Sequence, residues 1–133
     1  MLRRRTNHDV QRRVEERRQR EEEAGRLRDE VPELLSLRLE IDETQGNVPL
    51  TAARYIRHVV VDQAPALFEV PCTDQHCRDG GHDLTSPILQ ALRAERREFD
   101  GEDACYGQIG RVSCGRILRY VAHATYRESS KDE

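Results

Sequence analysis

Pro71-Cys72-Thr73-Asp74-Gln75-His76-Cys77-Arg78-Asp79-Gly80-Gly81-His82-Asp83 and, one short helical pattern later, Cys105-Tyr106-Gly107-Gln108-Ile109-Gly110-Arg111-Val112-Ser113-Cys114 together hold all four cysteines of a 133-residue chain. They form two sequence pairs, Cys72 with Cys77 and Cys105 with Cys114, and His76 and His82 stand beside the first. Four soft thiolates suit a tetrahedral ion, so the stretch reads as a structural metal site, with zinc as the expected metal. The first pair is separated by four residues, a usual short spacing. The second is separated by eight and needs a small loop, which Gly107 and Gly110 can supply. Two ligand sets fit: all four cysteines, or three cysteines with His82 or His76. In the second set, Gly80-Gly81 turns the backbone and brings His82 back toward Cys72 and Cys77, with Asp83 behind it.

Other chemistries find less support. Asp74, Asp79 and Asp83 offer a general base near the first pair, as a catalytic metal would need. The zinc-deaminase pattern fails, since the thiol after Pro71-Cys72 comes too late and no His-x-Glu precedes it. There is no HExxH, phosphate loop, dinucleotide fingerprint or Gly-x-Ser-x-Gly elbow. A Cys77–His123 nucleophile has no supporting spacing. Disulfides are the alternative use of the four cysteines.

Working outward, Ala66-Leu67-Phe68-Glu69-Val70 alternates and reads as a strand leading into Cys72. Leu35-Ser36-Leu37-Arg38-Leu39-Glu40-Ile41-Asp42 alternates without a fault, with the odd positions apolar. Glu43-Thr44-Gln45-Gly46-Asn47 reads as a turn. Tyr55-Ile56-Arg57-His58-Val59-Val60-Val61 is β-branched and strand-like. Between the Cys pairs, Thr85 or Ser86 caps a helix with Pro87 in its first position. Ile88, Leu89, Leu92 and Phe99 form its buried face, and Asp100-Gly101 ends it. Ile117–Tyr126 is the last strand, with Leu118, Tyr120, Ala122, Ala124 and Tyr126 on one face.

These elements predict an α+β fold: a small antiparallel sheet with one packed helix, clamped at the sheet–helix junctions by the Cys-rich metal site. Residues 1–31 read as a charged helical arm, 32–126 as the clamped domain and 127–133 as a disordered tail. The arm has helix formers and pairs such as Glu16–Arg20 and Glu22–Arg26, but its apolar residues, Val10, Val14, Ala24, Leu27 and Val31, are too sparse for a coiled coil.

Charged residues make up 35% of the chain and tryptophan is absent, so the core is thin and a metal staple is useful. A net charge of −3 excludes a uniformly basic nucleic-acid binder but not a local basic patch. Lys131 is the only lysine. A GC-rich genome explains that, and so does selection for bidentate contacts. The basic start Met1-Leu2-Arg3-Arg4-Arg5 is followed by no apolar run, so neither a secretory signal nor a membrane span is expected. The expected location is cytoplasmic, with reduced thiols.

The functional expectation is a zinc-binding adaptor, regulator or assembly subunit that is not an enzyme and meets a protein partner through its N-terminal arm. The alternatives are a nucleic-acid binder using Arg3, Arg4, Arg5, Arg93, Arg96 and Arg97, with Arg111 and Arg116, and a metal-dependent enzyme using His82 and an aspartate.

Overall fold

The computed structural model of the chain describes residues 7–45, 48–74, 76–77 and 80–127. The Arg3-Arg4-Arg5 run, the Gly46-Asn47 turn and the tail beyond Arg127 lie outside the described residues. In order come α1 (Asn7–Ala24), α2 (Leu27–Glu30), β1 (Leu34–Gln45), β2 (Val48–Val59), β3 (Glu69–Pro71), β4 (Gly81–Asp83), α3 (Thr85–Arg93), β5 (Glu98–Ala104), β6 (Gln108–Ile109), β7 (Val112–Ser113) and β8 (Arg116–Tyr126). The main sheet has the order β2-β1-β8-β5 and is antiparallel throughout. The ribbons β3–β4 and β6–β7 complete an α+β fold.

Alternation builds the main sheet. Leu37, Leu39 and Ile41 of β1 and Leu118, Tyr120, Ala122 and Ala124 of β8 are buried on one face. Ile88, Ala91 and Leu92 of α3 join the same core. Leu35 departs from the pattern: a register shift between Leu34 and Ser36 buries Leu34 instead and leaves Leu35 54% exposed.

Several boundaries differ from the expectation. β1 runs on to Gln45, through the start of the expected turn, and β2 covers Val48–Val59 rather than Tyr55–Val61. The helix between the Cys pairs stops at Arg93, because its next inward positions fall on the charged Glu95 and Arg96. Phe99 is then buried from a strand, β5, opposite Ala122. At the helix start, Leu84 occupies the cap position and the Asp83 carboxylate accepts the Thr85 N–H at 3.1 Å, with Pro87 third in the helix. Thr85 Oγ1 accepts the Phe68 N–H at 2.8 Å instead of capping. The strand expected over Ala66–Val70 is confined to Glu69–Pro71, although Ala66, Phe68 and Val70 are all buried.

The arm is shorter than 1–31. Gly25, at φ 80°, ends α1. Leu27 N then donates to Ala64 O at 3.0 Å, and Ala66 N donates to Gly25 O at 2.9 Å. Leu27 and Val31 are buried in the main core. Within the described part of the expected arm, only α1, which buries no residue, stands apart from that core. Among the described residues no helix is long and apolar enough to cross a membrane.

Candidate metal centre

The four cysteines come from four chain segments that the sheet ends bring together. Cys72 leaves β3, Cys77 lies in the next loop, Cys105 leaves β5, and Cys114 enters β8 after the β6–β7 ribbon. All four are buried, and their Sγ atoms lie within 4.8 Å of one another. Two approaches cross the sequence pairs: Cys72 to Cys114 at 3.6 Å, and Cys77 to Cys105 at 3.6 Å. The thiols are free, not bridged. They form a small buried cluster with Ile109, separate from the main core. This group could hold a metal ion.

Local backbone chemistry fixes the loops. Cys77 N donates to Asp74 O at 3.1 Å, and the Asp74 carboxylate accepts the His76 N–H at 2.8 Å. Cys105 N donates to Arg116 O at 2.8 Å and Cys114 N to Gly107 O at 3.0 Å. Gly110, at φ 64°, makes the tight β6–β7 turn. Gly80 and Gly107 serve space rather than turning. A Cβ on Gly80 would strike Cys77 Sγ and come within 2.6 Å of Cys105 Sγ, and one on Gly107 would strike Cys77 Sγ.

The electrostatics are those of thiols gathered out of water. Burial, with the adjacent Cys105 sulfur, pushes the Cys77 thiol up to about 12. Burial also pushes Cys72 upward. Burial acts the same way on Cys105, but N–H groups from Gly107 and Gly81 outweigh it and hold Cys105 below the ordinary thiol value. The Gly107 N–H donates to Cys105 Sγ at 3.4 Å. Such donors offset the charge of a thiolate that ligates a cation.

Neither histidine belongs to the thiol group. His82, considered as a fourth ligand, is fully buried and both of its ring nitrogens are engaged elsewhere. Nδ1 meets Asp103 Oδ2 at 3.0 Å and Nε2 meets Glu43 Oε1 at 3.4 Å. Thr73 Oγ1 donates to Glu43 Oε2 at 2.8 Å. A carboxylate at each nitrogen favours the imidazolium, which can donate from both. Burial lowers the His82 pKa, but the bonds to Glu43 and Asp103 raise it further, so the net shift is upward. Burial raises Glu43, and the bonds from His82 and Thr73 bring it net below its ordinary value. This network ties β1, β4 and β5 together beside the thiols. Its signal was in the β1 phase: Leu37, Leu39, Ile41 and Glu43 share one face, so Glu43 had to be buried and paired.

The arm lies against this end of the molecule. Arg13 Nη2 donates to Gly80 O at 2.6 Å, and Arg17 Nη2 donates to Glu69 O at 3.1 Å. Arg20 grips the Glu69 carboxylate through two bonds of 2.6 and 2.7 Å. Between helix and body runs a groove of about 180 Å³ lined by Val10, Val14, Pro71 and Tyr106. The helix interior of the arm was legible, but its docking was not, because two of the acceptors are backbone carbonyls.

Of the arginines considered for nucleic acid, Arg93 pairs with Glu30 at 2.9 Å, and Arg96 and Arg97 are exposed after α3. Arg111 is exposed in the β6–β7 turn, and Arg116 pairs with Asp74 at 3.7 Å. None of them contributes to the thiol group, and Arg3, Arg4 and Arg5 lie outside the described residues. No family model, curated protein or solved structure matches this chain.

Proposed function

We propose that the four thiolates of Cys72, Cys77, Cys105 and Cys114 hold one structural zinc ion and that the protein acts by binding, as an adaptor, regulator or assembly subunit. The observation that carries the reading is the buried four-sulfur group. Zinc–thiolate bonds of about 2.3 Å in a tetrahedron put sulfurs about 3.8 Å apart. The Cys72–Cys114 and Cys77–Cys105 separations, 3.6 Å each, are close to that edge. Four thiolates complete a tetrahedral sphere, which supports a structural role over a catalytic one, since a catalytic site keeps a position open. The ion would fasten the ends of β3, β5 and β8 where the apolar core does not reach. Free thiols of this kind suit a reducing compartment such as the cytoplasm.

In this reading α1 supplies the contact with a protein partner. It buries no residue, and its contacts with the body are polar and partly exposed. The test compares the untagged full chain with a chain lacking residues 1–24, a cut that spares Leu27. Both should carry about one zinc per chain, with the thiols unreactive until a chelator is added, and only the full chain should retain its partners. Four reactive thiols without metal overturn the zinc reading. Partners that survive the cut overturn the role of the arm.

A further inference from the structure

The outer face of the main sheet carries a row of charges of alternating sign. Register places Arg54 of β2 beside Asp42 of β1, Asp42 beside Arg119 of β8, and Arg119 beside Glu102 of β5. The row is closed pairwise, Arg54 to Asp42 at 3.3 Å and Arg119 to Glu102 at 2.9 Å. It begins with a cation on one edge strand and ends with an anion on the other. Both edges are bare: among the described residues, the backbone hydrogen bonds of β2 go to β1 and those of β5 go to β8.

We propose that copies of this chain associate head to tail, β2 of one copy pairing antiparallel with β5 of the next. Strand directions allow it, because β2 and β5 lie at opposite ends of a sheet whose neighbours all alternate. One register keeps the outer faces continuous and sets Glu98 opposite His58, Asp100 opposite Ile56, and Glu102 opposite Arg54. The alternating row then runs on across the junction without a break. On the inner face Tyr55 comes opposite Gly101, over which the Tyr120 ring lies.

Charge selects this pairing over the alternatives. Edge strands are often blunted by charge against all comers. Here the two edges carry opposite signs. A β5–β5 pair centred on Asp100 would align Glu98 with Glu102 and Asp100 with itself. A β2–β2 pair centred on Ile56 would align Arg54 with His58. Opposed carboxylates disfavour the first and the second offers no opposite charge, while Arg54 and Glu102 attract one another across β2 and β5. Such a contact is heterologous and grows into a ring or an open filament. The short β5 makes it weak, so it appears as concentration increases.

The test is sedimentation velocity of the wild-type full chain from micromolar to near-millimolar concentration, at low and high salt. The expected result is an average mass that rises with concentration at low salt and falls back toward the monomer at high salt. An acidic-edge variant, Arg54→Glu with His58→Glu, and a basic-edge variant, Glu98→Arg with Glu102→Arg, should each stay monomeric alone. An equimolar mixture of the two should associate again. The milder His58→Glu, which gains Arg38 as its cross-strand neighbour, and Glu98→Arg repeat the test at less cost to the fold. A wild-type chain that is monomeric throughout overturns the proposal. Association that persists in either variant alone, or fails to return when the folded variants are mixed, does so too.

Discussion

The two ends of this molecule are held together by different physics. The sheet core, around Leu39, Ile41, Ile88, Leu92 and Leu118, is apolar and continuous. The other end buries four thiols and, beside them, the Thr73–Glu43–His82–Asp103 network. Apolar burial is non-directional and tolerates error, whereas buried thiolates and charges demand their partners. The ends should therefore fail under different insults.

The sharpest way to break the comparison is to remove a ligand. Cys77→Ser, or chelation, should abolish metal retention. The thiol end should then lose most of the stabilisation that a structural zinc supplies, which reaches about 10 kcal/mol or more in zinc-finger peptides. In hydrogen exchange, residues 72–83 and 105–115 should lose protection while 34–43 and 116–126 keep it. Loss of protection across the whole sheet at once would erase the distinction.

Next in size is the buried charge network. Glu43→Ala leaves His82 with Asp103 alone and its buried Nε2 without an acceptor, and should cost about 3 kcal/mol in denaturant unfolding, the lower end for breaking a buried pair. A cost below 1 kcal/mol would mean that His82 is neutral in the folded protein. Leu118→Ala probes the other end and should cost about 2–5 kcal/mol through the cavity it leaves. Metal content should be unchanged by it, and concurrent metal loss would show the two ends to be one cooperative unit.

What the sequence revealed follows the same division. β1 and β8 could be read because residues such as Leu37, Leu39, Ile41, Leu118 and Tyr120 repeat at period 2 against water. β5 could not: Phe99 is its one large apolar residue, and Asp100-Gly101 imitates a helix stop. The thiols could be found by type and spacing. His82 was ambiguous because sequence does not show what faces a ring nitrogen, and here Glu43 and Asp103 do. Gly80 and Gly107 looked like turn residues, and only the position of the sulfurs reveals that they make room.

The pH response sharpens the comparison with a smaller effect. His82 is raised from its ordinary value of 6.5, so its contribution is complete below that value and is lost as pH rises through the folded value. Glu43 is lowered from 4.5, so its contribution is complete above that value and is lost as pH falls through the folded one. The stability difference between wild type and His82→Gln should thus be widest between pH 4.5 and 6.5 and shrink in more alkaline buffer. A difference that grows with alkalinity contradicts the imidazolium assignment.

The smallest effect belongs to the arm. Arg20→Ala removes a half-exposed pair with Glu69 and should change global stability by less than about 1 kcal/mol. Exchange along α1 should quicken, and added salt should mimic the substitution. A large global loss would place the arm inside the cooperative core.

The most direct test of the central claim is X-ray absorption at the zinc edge on untagged protein carrying its native metal. The account predicts one zinc per chain with four sulfur neighbours at about 2.3 Å and no nitrogen or oxygen in the first shell. A histidine nitrogen replacing one sulfur, or a chain purified with no metal and its cysteines joined in disulfides, would contradict it.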